Sequence, residues 1–120
     1  MFKTLLMVVV LLATPFGQTM TPQKIMAGGY LKTGEFLDLN DAQREAFAAG
    51  FLDGIFIAPL LDAPNRGKLY EAIRTCTAEM PANQVAAIIE KFVRDNPEDW
   101  HKPLNVVAFN AILKACHATP

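Results

Sequence analysis

Five apolar residues, Val85, Ile88, Ile89, Phe92 and Val93, constrain this chain more than any other feature of its sequence. They recur at i, i+3, i+4, i+7 and i+8, the spacing of an α-helix with one side turned to a core. Pro81 suits the first turn of that helix, where its missing N–H costs nothing. Asn96-Pro97 ends it, because a proline ring disfavours helical backbone in the residue before it. Glu90 and Arg94 form a favourable i,i+4 pair, Lys91 and Arg94 are expected to face solvent, and Gln84 falls in the first turn.

The same reading extends along the chain. Leu104, Val107, Ala108, Ala111, Ile112 and Ala115 make the buried face of a last helix, capped by Asp99 or opened by Pro103. Asn40 or Asp38 caps an earlier helix over residues 41–58, which Pro59 ends. On it Ala46, Gly50, Gly54 and Ala58 form a ridge of small side chains beside Phe47, Phe51 and Ile55, with Leu52 and Phe56 next to them. Two glycines inside a helix cost about 1 kcal/mol each relative to alanine. That pattern is expected of a tightly packed core helix approached closely by a neighbour. Asp53 and Arg44-Glu45 interrupt the run, which argues against a membrane dimer motif. Residues 60–67 read as a loop and residues 69–75 as a short helix ending at Cys76. No convincing β-alternation appears. The expected fold is all-α, with about four main helices in a single domain, since 120 residues leave no room for two.

Residues 1–19 are expected to stand apart from that domain. Lys3 precedes nine unbroken apolar residues at 5–13, and Pro15 and Gly17 break the run. This is the layout of a secretory signal peptide, too short for a membrane span of about 20 residues. The cleavage site is not marked, with Ala13 and Thr19 as imperfect candidates, and an uncleaved anchor is the rival reading. Residues 20–40, punctuated by Gly28, Gly29 and Gly34, are expected to be loosely organised, and residues 41–120 to hold the helical domain. Lys3 is the leader's one charge, so its removal takes the formal charge from −1 to −2. Such near-neutrality lacks the basic footprint of a nucleic-acid binder. A composition of 52% hydrophobic and 19% charged residues rules out a disordered chain.

Export gives the two cysteines a meaning. In an oxidising compartment Cys76 and Cys116 form the one intramolecular pair available, and a structural disulfide is expected. The alternative is a catalytic or metal-binding thiol helped by His101 or His117. Two Cys and two His lack the tight ligand spacing of a zinc finger, with the cysteines 40 positions apart, and no cofactor motif stands out.

Among candidate sites, Asp99-Trp100-His101 holds the single tryptophan. It reads either as a binding epitope on the loop between the last two helices or as a staple that packs the helix entrance on the core. Asp53, on an otherwise apolar helix, would need a second carboxylate such as Glu45 or Glu79 to do acid–base work. No Ser/His/Asp order, phosphate loop or HExxH motif is present, so an enzyme is the least supported class.

Taken in order, these residues resemble a family. The helix containing Ala49-Gly50-Phe51-Leu52-Asp53-Gly54 is followed by Cys76, Met80, Gln84, Asn96-Pro97-Glu98, Trp100-His101 and a last helix closing on Cys116. Over residues 34–116 this order and spacing is similar to the Rap/Tai family of amidase-immunity proteins and their exported relatives. The chain departs from the pattern in a long 59–68 insertion and in Lys114-Ala115 before Cys116. The resemblance implies an all-helical, disulfide-bonded periplasmic protein that blocks a peptidoglycan amidase delivered by type VI secretion. Glu98, Asp99, Trp100 and His101 in one loop, with Asp62, Asn65 and Arg66 in another, are the candidate contacts. A homodimer stays open, and no nucleic acid, membrane or cofactor is expected as a partner of the mature domain. The alternative function is a small periplasmic acid-stress chaperone, whose carboxylates would protonate and expose apolar surface in acid.

Overall fold

The computed structural model describes residues 30–61 and 67–119. The expected leader, the first half of the expected loose segment and the loop at 62–66 lie outside the described residues.

Four α-helices carry the fold: α1 Asp41–Ile57, α2 Gly67–Thr77, α3 Ala82–Asp95 and α4 Leu104–Ala115. Short 3-10 turns cover Thr33–Asp38, Ala58–Leu61 and Pro97–Asp99. Among the described residues there is no strand beyond an isolated bridge between Lys32 and Pro103, so the expected all-α class holds. No described helix is long and apolar enough to cross a membrane.

Local chemistry sets the helix ends. Asn40, not Asp38, caps α1: its Oδ1 accepts from Gln43 N at 2.9 Å, and Gln43 Oε1 accepts from Asn40 N at 3.0 Å. Pro81 stands just before α3, where its carbonyl accepts from Gln84 N and Val85 N. Pro103 stands likewise before α4, its carbonyl accepting from Val107 N. Asp99 lies in the preceding turn instead.

α3 is the central helix, packed against α1 on one side and α4 on the other. Val85, Ile89 and Val93 of α3 and Leu104, Val107 and Ile112 of α4 are buried, as their periodicity predicts. Each such side chain contributes about 1.5–3 kcal/mol on leaving water. Ile73 of α2 and Ala48 of α1 complete the core from either side. Cys76, in the last turn of α2, bonds to Cys116 at the C-cap of α4, 40 residues further on and with 5.7 Å between Cα atoms. The disulfide is as expected.

Three expectations need correction. The small-residue ridge of α1 does not face a close neighbour: Ala46, Gly50 and Gly54 are exposed, and a Cβ built on either glycine would meet nothing within 4 Å. The helix instead turns Ala48 and its larger side chains Phe47, Phe51, Leu52 and Ile55 to the core. Burying those rings removes far more apolar surface than a close backbone approach would. Ala115 is exposed while Leu113 is buried, and beyond α4 the chain turns back so that Ala118 packs against the core and its N donates to Leu113 O. Finally, residues 30–40 are part of the fold: Thr33 and Phe36 are both fully buried.

Candidate functional site

The loop joining α3 to α4 is built by capping. Asn96 ends α3 and its Nδ2 donates to Phe92 O at 2.7 Å. Pro97 then opens a 3-10 turn in which Asp99 N donates to Asn96 O and Trp100 N to Pro97 O. Lys102 N donates to Asp99 O, which brings the chain to Pro103 and the start of α4. Trp100 reaches back, and its Nε1 donates to Val93 O at 2.8 Å. Helix-end carbonyls have no partner inside the helix, so Asn96 and Trp100 satisfy two that α3 leaves over.

The other side of the loop is held by the segment expected to be loose. Thr33 N and Thr33 Oγ1 both donate to Lys102 O at 2.9 Å. Gly34 N donates to Trp100 O at 3.1 Å, and Leu104 N to Leu31 O at 2.8 Å. Gly34 lets the two segments approach closely: an added Cβ would stand 3.3 Å from Trp100 Cβ. Asp99 Oδ1 pairs with Lys102 Nζ at 2.6 Å within the loop. The turn is therefore pinned from α3, from residues 31–34 and from inside itself.

What this frame displays differs by residue. Glu98 and His101 are exposed, Asp99 is half-buried, and Trp100 keeps 41% of its surface in solvent despite its internal hydrogen bond. Trp100 is thus both a staple and an exposed surface. The second expected contact group, Asp62, Asn65 and Arg66, lies outside the described residues.

A cleft of about 290 Å³ opens elsewhere, between α1 and the turn from α2 to α3. Ala48, Leu52, Phe56, Met80 and Val85 line it together with the exposed Asp53 and Arg74. Arg74 is bound to Glu71 at 2.8 Å, and Glu45 and Glu79 do not join Asp53 in the lining. Among the described residues no group of three or more His, Cys, Asp and Glu side chains could hold a metal ion.

Sequence reasoning missed Arg44. Its side chain is largely buried, with Nε donating to Phe36 O at 3.2 Å and Nη2 to Leu37 O at 2.8 Å. Nη1 pairs with Glu90 Oε2 at 2.9 Å, and the guanidinium lies 5.8 Å from the Phe36 ring centroid. Glu90 also accepts from Arg94 at 2.7 Å through its other oxygen. The Arg94 hydrogen bond, with help from Arg44, holds the Glu90 carboxyl below its ordinary pKa. One guanidinium thereby joins α1, α3 and the 3-10 turn that ends behind the loop frame. The available signal was an arginine on a helix otherwise rich in apolar and small residues.

Comparisons with known protein families, with curated proteins and with solved structures find no match for this chain.

Proposed function

We propose that this chain is an exported binding protein that inhibits an enzyme of the cell envelope, with the loop at 97–101 in the contact. The carrying observation is that loop: an exposed tryptophan and an exposed acid on a turn pinned at three places. A turn held in one conformation before docking loses little entropy on docking. The disulfide between α2 and α4 adds resistance of the kind an envelope protein needs. The Rap/Tai resemblance suggests a peptidoglycan amidase as the enzyme. Pull-down of purified protein against the peptidoglycan amidases of the same genome tests this. A retained amidase that loses activity in the complex is the expected result. No retained partner, together with unchanged survival of deletion cells beside competitors, would sink the reading.

One observation favours the acid-stress chaperone as a second reading. The Arg44–Glu90–Arg94 cluster bolts the Phe36 turn and α1 onto α3, and acid would neutralise its carboxylate. Protection of an unfolding client from aggregation at about pH 3 separates the two, since an inhibitor has no reason to give it.

A further inference from the structure

Trp100 is unusual in what it leaves outside. Its Nε1–H, the ring's one hydrogen-bond donor, already points to Val93 O at 2.8 Å, and its Cβ rests over Gly34. The 41% of the residue that solvent reaches is therefore offered with its polar group satisfied from within. The charges nearby in sequence are equally divided in role. Asp99 is half-buried and tied to Lys102 at 2.6 Å. Glu98 is exposed and has no ion-pair partner among the described residues. The loop presents one apolar ring and one uncompensated carboxylate, two positions apart, on a fixed frame.

We propose that Trp100 is the anchor and Glu98 the charge contact of a protein interface whose other half is an apolar socket with a basic rim. The inference rests on the inhibitor reading and specifies the partner's chemistry at that same loop. An indole whose N–H is already bonded needs no acceptor inside the socket, so a fully apolar socket leaves nothing buried and unpaired. Tryptophan in such a socket is the side chain on which binding energy concentrates. Glu98 draws a cationic rim into register and acts chiefly on the rate of encounter, an effect that salt screens. Asp99 is a positioning residue that holds Lys102 and does not touch the partner.

The test is a titration of the full protein and its variants against the amidase retained in the pull-down, at low and high salt. Trp100→Ala is expected to weaken binding at least about 30-fold. Trp100→Phe keeps an apolar ring while losing the Val93 bond, and is expected to stay within about fivefold of the parent protein. Glu98→Lys, at an exposed position that no fold contact uses, should weaken binding about tenfold at low salt and much less at high salt. Equal affinity of the parent and a folded Trp100→Ala overturns the proposal. So does a Trp100→Phe protein as weak as Trp100→Ala, because the indole would then act only by holding the loop. Glu98→Lys keeps the test open if Trp100→Ala does not fold, and an unchanged affinity at low salt overturns the proposal. A parent protein that binds no amidase removes the inhibitor reading and this inference together, an outcome distinct from any variant result.

Discussion

Gly34 and Gly50 show how one residue type can be closely packed at one place and dispensable at another. At Gly34 the chain passes Trp100 so closely that a Cβ would sit 3.3 Å from its Cβ, and Gly34 N is bonded to Trp100 O. An added methyl group would push Trp100 back by a few tenths of an ångström, so Gly34→Ala is expected to destabilise by about 1 kcal/mol. At Gly50 and Gly54 an added methyl group meets open space on an exposed helix face. There Gly→Ala should stabilise by about 0.5–1 kcal/mol at each site. Urea denaturation of the three variants checks both signs. His117 offers a third case. It follows α4 with φ 49°, where His117 N donates to Lys114 O and Ala118 N to Leu113 O. This is the Schellman ending that normally takes glycine. His117→Gly is expected to raise the melting temperature, with a gain of about 1 kcal/mol. An unchanged or lowered melting temperature would contradict the strain assigned to it.

Between elements, the main polar joint is Arg44. Its three nitrogens serve the end of the Thr33–Asp38 turn and Glu90 of α3 at once, while α1 carries it. Replacing it by alanine leaves two turn carbonyls and a half-covered carboxylate short of partners, at a cost of about 2–3 kcal/mol. Arg44→Lys should recover little of this, because an ammonium lacks the planar fork that reaches three acceptors. The pH dependence follows from Glu90. Its folded pKa is lowered, mainly by Arg94 and then by Arg44, so its stabilising effect is fully present above the ordinary carboxylate pKa. That effect is lost as pH falls through the lowered folded value. Glu90→Gln should therefore flatten the acid limb of a stability–pH curve while leaving the slope near neutrality unchanged. The exposed pairs Arg74–Glu71 and Lys91–Asp95 are screened by water and should not register in the same experiment.

At the scale of the whole molecule, two long-range ties hold the helices together. The disulfide joins the end of α2 to the end of α4 across 40 residues. In the chain-entropy model it stabilises by about 4 kcal/mol, a large part of the 5–15 kcal/mol usual for a domain. Reduced protein, or Cys76→Ala with Cys116→Ala, should unfold at distinctly lower urea concentration with its helical content otherwise kept. The second tie is residues 31–34 against 100–104, which places the N-terminal segment beside the proposed contact loop. Removing residues 30–34 is expected to leave α1, α3 and α4 helical while loosening the loop, seen as faster amide exchange at Trp100 and Lys102.

Much of this was legible along the chain. The periods in 85–93 and 104–112, the proline stops and the cap at Asn40 depend on neighbours within a turn or two, and they marked α1, α3 and α4 closely. The presence of Trp100 in the turn between helices was readable for the same reason, whereas the cysteine pairing was readable because the chain has just two cysteines to pair. What tertiary structure decided was which face each helix turns inward when two faces compete. On α1 the small-residue ridge was expected to meet a close neighbour, and burial of the larger aromatic ridge overrode it. It also decided that Phe36, Thr33 and Arg44 belong to the framework of the candidate site. Their partners lie in other elements, up to 69 residues away for Thr33, and such contacts leave no period in a sequence. Local spacing encodes helices; the frame around Trp100 exists only once distant backbone groups must find partners on leaving water.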